Sequence, residues 1–221
     1  MRINQYVARA TGLSRRAADA AISGKRITIN GNLAVIGSSV AEGDSVALDN
    51  RPITPAVKPL TVMLNKPVGY VCSRDGQGSP TIYDLLPTKY RELKPVGRLD
   101  KDSSGLLLLT NDGDLANKLT HPRYDKTKVY EISLDKPLQP DHQKLINNQG
   151  VKLEDGNSQL RLKQLGKEGR EWQIMMTEGR NRQIRRTFAT LGYSITNLNR
   201  TSLGDYNLAG LQAGQHTIAR S

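Results

Sequence analysis

The chain has 221 residues, 32 Lys and Arg against 21 Asp and Glu, and a formal net charge of +11. A chain this basic meets a polyanion, either nucleic acid or an anionic membrane surface. The longest aliphatic run, Leu106 to Leu109, is far short of the roughly 20 residues that cross a bilayer, and no basic amphipathic helix suits a membrane surface. A single cysteine, Cys72, excludes an internal disulfide and a cysteine zinc site, and His121, His142 and His216 are too scattered to resemble metal ligands. No apolar stretch follows the N-terminal charges, so no secretory signal is expected, and a reducing cytoplasm fits this composition.

Residues 1–48 read as one unit. Apolar positions 3, 6, 7 and 10 have helical spacing, and Gly12 stops that helix. Ser14 is a good N-cap for a second helix from Arg15 to Ile22, which Gly24 ends. Residues 26–29 and 33–36 flank Asn30-Gly31, the pair that a type I′ hairpin turn favours. A further strand is expected from Val40 to Leu48. Residues 49–60 carry three prolines and read as a semi-rigid linker.

Beyond the linker, strands are expected at 61–65, 105–110, 126–133, 159–164 and 172–177, with helices at 115–120, 140–148 and 181–191. Asp75-Gly76, Asp112-Gly113 and Asp155-Gly156 mark turns. The expected class is α+β: a small α/β module, then a domain (61–221) with a mixed, mostly antiparallel sheet flanked by helices.

In residues 1–48 six basic side chains (Arg2, Arg9, Arg15, Arg16, Lys25 and Arg26) face three acidic ones. Such a run is either a solvated helix face or a surface that grips phosphates. The order of Ser14-Arg15-Arg16-Ala17-Ala18-Asp19, Gly24-Lys25-Arg26-Ile27 and Asn30-Gly31 resembles the S-four RNA-binding domain. The resemblance spans about 45 residues and implies binding of structured RNA. On that reading Arg9, Arg15, Arg16, Lys25 and Arg26 contact RNA.

Gly97-Arg98-Leu99-Asp100-Lys101-Asp102-Ser103-Ser104-Gly105 sets a carboxylate between two cations just before an apolar strand. Neighbouring positive charge favours the ionised carboxylate, which can act as a nucleophile or base. A lone loop aspartate more often caps a turn, and that role suits Asp102, which Ser103-Ser104-Gly105 follows. Residues 180–186 hold four arginines and no acid, so they need an anion from elsewhere: RNA phosphate or the Asp100 carboxylate. Arg185 is expected to point inward, and Arg180, Arg182 and Arg186 towards RNA. Gly179-Arg180-Asn181 is expected to leave free N–H groups at a helix start, a natural phosphate site.

The aspartate segment resembles the signature of pseudouridine synthases, in particular the RsuA/RluB/RluE/RluF family of ribosomal RNA enzymes. Leu64-Asn65-Lys66-Pro67-Val68-Gly69-Tyr70, Leu107-Leu108-Leu109-Thr110-Asn111-Asp112-Gly113, Lys128-Val129-Tyr130 and Glu178-Gly179-Arg180-Asn181-Arg182-Gln183-Ile184-Arg185-Arg186 agree with it. The resemblance implies a catalytic Asp100, a Tyr130 that stacks on the target base, an Arg185 paired with the aspartate, and an Arg98 that replaces the flipped nucleotide in the RNA stack. It implies a monomer, and ribosomal RNA as partner, with the large-subunit RNA favoured. Isomerisation of uridine oxidises nothing and donates no group, so no cofactor or metal is called for, and the chain has no phosphate loop. The competing readings are a non-catalytic ribosomal RNA-binding factor and a synthase acting on transfer RNA.

Overall fold

The structure, a computed structural model, describes residues 1–55, 59–208 and 210–219. The chain divides into two units, Met1–Lys58 and Pro59–Ser221.

In the first unit, α1 (Ile3–Thr11) ends at Gly12, whose φ of 78° is the left-handed conformation that glycine tolerates. The Ser14 side chain accepts from Ala17 N–H and starts α2 (Arg15–Ser23). The helices bury Ile3, Val7, Ala18, Ala21 and Ile22 against Ile27, Val40 and Val46. Strands β1 (Ile27–Ile29) and β2 (Asn32–Leu33) form the expected hairpin, with φ of 50° at Asn30 and 80° at Gly31. The second strand is shorter than expected. Val35 N–H turns to the Ser38 hydroxyl and Ser38 N–H to Val35 C=O, a local turn that competes with the ladder. The expected strand from Val40 is also cut down, to β3 (Val46–Leu48), because the Asp44 carboxylate accepts from Ala41 N–H at 2.7 Å and folds a turn there. Arg51-Pro52, expected in the linker, instead form β4, an edge strand on β3, where a proline is tolerated. Residues 56–58 of the expected linker lie outside the described residues.

The second unit is built on one sheet. Its strands are β5 (Thr61–Lys66), β6 (Lys94–Pro95), β7 (Ser104–Thr110), β8 (Lys128–Leu134), β11 (Arg161–Gln164), β12 (Glu171–Met176), β13 (Ile195–Leu203), β14 (Tyr206–Asn207) and β15 (His216–Ile218), while β9 (Val151–Leu153) and β10 (Gly156–Ser158) form a separate hairpin. The order is β11-β12-β8-β13-β7-β5-β15, with β6 beside β7 and β14 beside β13. Among the described residues only strands β13 and β7 run parallel, so the sheet is mixed and mostly antiparallel, as expected. Helices α3 (Gly113–Thr120), α4 (Pro140–Lys144) and α5 (Gln183–Thr190) accompany it. The α4 segment passes into a wider π turn at Leu145–Gln149, where one longer helix was expected. The run at β7 is apolar throughout because both faces are covered. Leu107 and Leu109 join the larger core with Val62, Leu64, Trp172 and Phe188; Leu106 and Leu108 join a smaller one with Val96, Leu119 and Leu203.

Register aligns one cross-sheet row: Ile174 opposite Tyr130, Tyr130 opposite Arg200, Arg200 opposite Gly105, and Gly105 opposite Lys66. Partners in register share a face of the sheet. Gly105 is obligatory in this row. Its φ is +108°, and an added Cβ would stand 2.3 Å from Arg200 O and 2.4 Å from Arg200 N. Gly105→Ala should therefore destabilise the second unit by roughly 3 kcal/mol, about 10 °C in melting temperature. A calorimetric scan that finds the variant as stable as the parent contradicts this register.

Candidate active site

The loop from Gly97 to Ser103 is held by its backbone. Lys66, at the end of β5, is fully buried, and its ammonium donates to Pro67 O (3.0 Å), Asp100 O (3.0 Å) and Ser103 O (2.6 Å). Burial pushes the Lys66 amine below its ordinary value, and the nearby Cys72, Asp100 and Asp102 partly offset this. The Cys72 thiol donates to Leu99 O at 3.3 Å and its sulfur accepts from Leu99 N–H at 3.4 Å. Burial raises that thiol above its usual range. Gly69 N–H donates to Lys101 O at 2.7 Å, on the far side of Asp100. With the residues on each side of it fixed, Asp100 is left with a side chain 39% exposed.

Asp100 borders a cleft of about 290 Å³, lined also by Arg98, Lys128, Tyr130, Arg182 and Arg200. Met176, Leu198 and Leu203 supply apolar wall. Tyr130 is nearly buried, and Arg98 is exposed. Lys128 donates to Thr177 O (2.9 Å) and Glu178 O (3.0 Å); burial, and after it the Arg200 guanidinium, lower its amine.

The arginines depart from expectation in two ways. Arg185 does point inward, but it does not pair with Asp100. Its Nη2 donates to Asp102 O (2.7 Å), its Nε lies 3.3 Å from the Asp102 carboxylate, and its Nη1 donates to Ile195 O. The guanidinium nearest Asp100 is that of Arg182, at 3.5 Å. Asp102, read as a turn cap, is instead the shared anchor. It accepts both Arg182 terminal nitrogens, at 3.1 and 2.7 Å, and this hydrogen bonding holds its carboxyl below the usual range. Arg180 and Arg186 do not project freely towards RNA either. The β9–β10 turn brings up Asp155, which pairs with Arg180 at 2.9 Å and Arg186 at 2.6 Å. The anions that order this arginine run are thus protein carboxylates. The expected open N–H at Arg180 is taken by the Gln183 side chain (3.1 Å). In the first unit, Arg15, Arg16 and Lys25 are exposed and Arg9 is half-buried, while Arg26 forms a fork with Asp49.

Sequence reasoning assigned no role to Lys66, Lys128, Cys72, Asp155 or Arg200. Lys66 and Lys128 lie inside quoted motifs. Asp155 sits in a recognised turn. Arg200 is on a strand whose polar pattern hid it.

A family profile for RNA pseudouridylate synthase matches residues 61–190. The chain is 36% identical over 217 residues to the dual-specificity RNA pseudouridine synthase RluF of Salmonella typhi, covering 97% of this chain and 74% of that one. It is 34% identical over 212 residues to the ribosomal small subunit pseudouridine synthase A of Yersinia pestis (94% and 89% covered). It is also 34% identical over 220 residues to the ribosomal large subunit pseudouridine synthase B of Bacillus subtilis (96% and 89%). It spans about half the length of the synthase B of Xylella fastidiosa, 48% of that chain. A crystal structure of a pseudouridylate synthase superposes with a TM-score of 0.70 at 29% identity, over 100% of this chain and 96% of that one. Fold and sequence define the class as RNA-modifying isomerases. The chain belongs to the RNA pseudouridylate synthase family.

The depressed Asp102 carboxyl has a consequence for stability. A group whose folded value lies below its unfolded value of about 3.9 stabilises the fold above that pH, and loses the contribution as pH falls through the folded value. Asp102→Asn should lower the melting temperature at pH 6–7, and the gap to the parent should close as the pH is taken below about 4. A gap that is independent of pH contradicts the Asp102–Arg182 pairing.

Proposed function

We propose that this protein isomerises uridine to pseudouridine in ribosomal RNA and that Asp100 is its essential carboxylate. The observation that carries this reading is a half-exposed carboxylate, held on a fixed loop beside a cationic, partly apolar cleft. The relatives are named for ribosomal RNA of both subunits: synthase A of Yersinia pestis matches at 34%, and synthase B of Bacillus subtilis at 34% and of Xylella fastidiosa at 36%. The ribosomal substrate class rests on those names, and the large-subunit preference rests on the sequence motifs alone. A ribosomal RNA substrate implies work in the cytoplasm, and the family resemblance of the motifs implies a monomer.

The target base must leave its stack, at a cost of a few kcal/mol. Stacking on Tyr130 returns about 1–3 kcal/mol of that. Arg98, exposed on the loop, takes the vacated place in the RNA stack. Breaking the N-glycosidic bond builds positive charge on the sugar, which a carboxylate stabilises or attacks. In this reading Asp100 does that, or adds to the uracil ring; each route starts from the same carboxylate. Arg182 keeps a positive charge beside it, and Arg185 acts through Asp102. Arg180 and Arg186 shape this wall through Asp155. Residues 1–48 serve as an S-four-like RNA grip through Arg9, Arg15, Arg16 and Lys25. Arg26 joins them from its fork with Asp49, and the catalytic domain begins at residue 61.

Asp100→Asn should bind ribosomal RNA as the parent does and lose pseudouridine formation by about 10⁴-fold or more, measured by base-resolution mapping of the product. Retained activity removes Asp100 from the chemistry. Arg15→Ala with Arg16→Ala should weaken RNA binding and reduce the slope of log K against log salt by about 1.4–1.8. An unchanged slope removes both arginines from the RNA surface.

A further inference from the structure

Arg200 stands apart from the other arginines around the cleft. Arg182 and Arg185 have Asp102, and Arg180 and Arg186 have Asp155. Arg98 is exposed to water. Arg200 is 3% exposed and lines the cleft, yet no carboxylate pairs with it among the described residues. Its Nε donates to Leu106 O at 2.8 Å, and its Nη2 is buried with no partner among those residues. A buried cation without an anion, and with a donor unmet, is costly, and such a group at a cleft wall calls for an explanation that a bound ligand can supply.

The row across the sheet says which ligand. Arg200 lies directly opposite Tyr130 on the same face, so their side chains are within reach of one another. Its other neighbour, Gly105, carries no side chain. A base stacked on Tyr130 therefore has its edge beside the Arg200 guanidinium. A backbone phosphate, which stays with the RNA strand, is a poor match for a group this deeply covered.

We propose that Arg200 is a substrate-contacting residue that donates to a carbonyl oxygen of the flipped uracil and stabilises uracil as the departing anion. This rests on the isomerase reading above. When N1–C1′ breaks, the electron pair stays on the base and is shared among N1, O2 and O4. The C5–C1′ bond then forms from that anion, the C5 proton leaves, and N1 takes up a proton. Product and substrate are isomers, so no further reactant enters. A fixed donor aimed at the oxygen where charge gathers accelerates bond breaking more than it tightens binding.

The test uses the full chain and ribosomal RNA under single turnover. Arg200→Gln should slow glycosidic cleavage at saturating RNA by about 10²–10³-fold, the scale of one lost oxyanion donor, while RNA affinity stays within about threefold. Arg200→Lys, which keeps a cation of different reach, should lose less, and it carries the same comparisons if the glutamine variant does not fold. RNA with 5-fluorouridine at the target distinguishes the role. Fluorine stabilises the uracil anion, so the loss caused by the variant should shrink at least about tenfold. Three results overturn the proposal: an equal loss on both substrates with a lowered melting temperature, which marks a structural anchor; weakened RNA binding with an unchanged saturated rate, which marks a phosphate contact; or no loss at all. If the parent protein makes no pseudouridine in ribosomal RNA, it is the isomerase reading that fails.

Discussion

The buried ammonium of Lys66 is the constraint on which the rest of the site depends. A fully buried cation must have its donors met, and the three nearest acceptors are main-chain carbonyls, two of them from the Asp100 and Ser103 ends of one loop. The loop has to wrap around Nζ, and in doing so it turns the Asp100 side chain outward. Cys72 on one side and Gly69 on the other add hydrogen bonds to Leu99 and Lys101. The Asp100 side chain is thereby positioned through its neighbours' peptide groups, with the Arg182 guanidinium 3.5 Å from its carboxylate.

Charge is arranged around that loop in two tiers. The first tier is internal: Asp102 gathers Arg182 and Arg185, and Asp155 gathers Arg180 and Arg186. These pairs order an arginine-rich stretch that would otherwise repel itself. The second tier has no close carboxylate pair among the described residues: Arg98 in water, and Arg200 and Lys128 within the wall, Lys128 feeling Glu178 at longer range. An entering nucleotide therefore meets a positive field on a frame that is already neutralised elsewhere.

Local chemistry made much of this legible in the sequence. The Ser14 cap, the Asn30-Gly31 turn and the leucine run of β7 act over a few residues, and each led to the element that formed. Long-range partners were not legible. The expected Asp100–Arg185 pair gave way to Asp102 because pairing depends on which carboxylate the loop presents to α5, and spacing along the chain does not encode that. The polar strand Ile195–Leu203 buries only Leu198, Arg200 and Leu203, so it shows no alternation to read, and Arg200 was missed with it. Arg51-Pro52 looked like linker because a proline on an edge strand has the composition of a loop.

The proposed chemistry needs the one carboxylate on the Lys66-anchored loop. The most direct measurement is a pseudouridine map of both ribosomal RNAs from cells that lack this protein, complemented with either the parent gene or an Asp100→Asn copy. At least one ribosomal uridine should lose its modification in the deleted cells, regain it with the parent and stay unmodified with the variant. Identical maps in all the strains, or restoration by the variant, would contradict that chemistry.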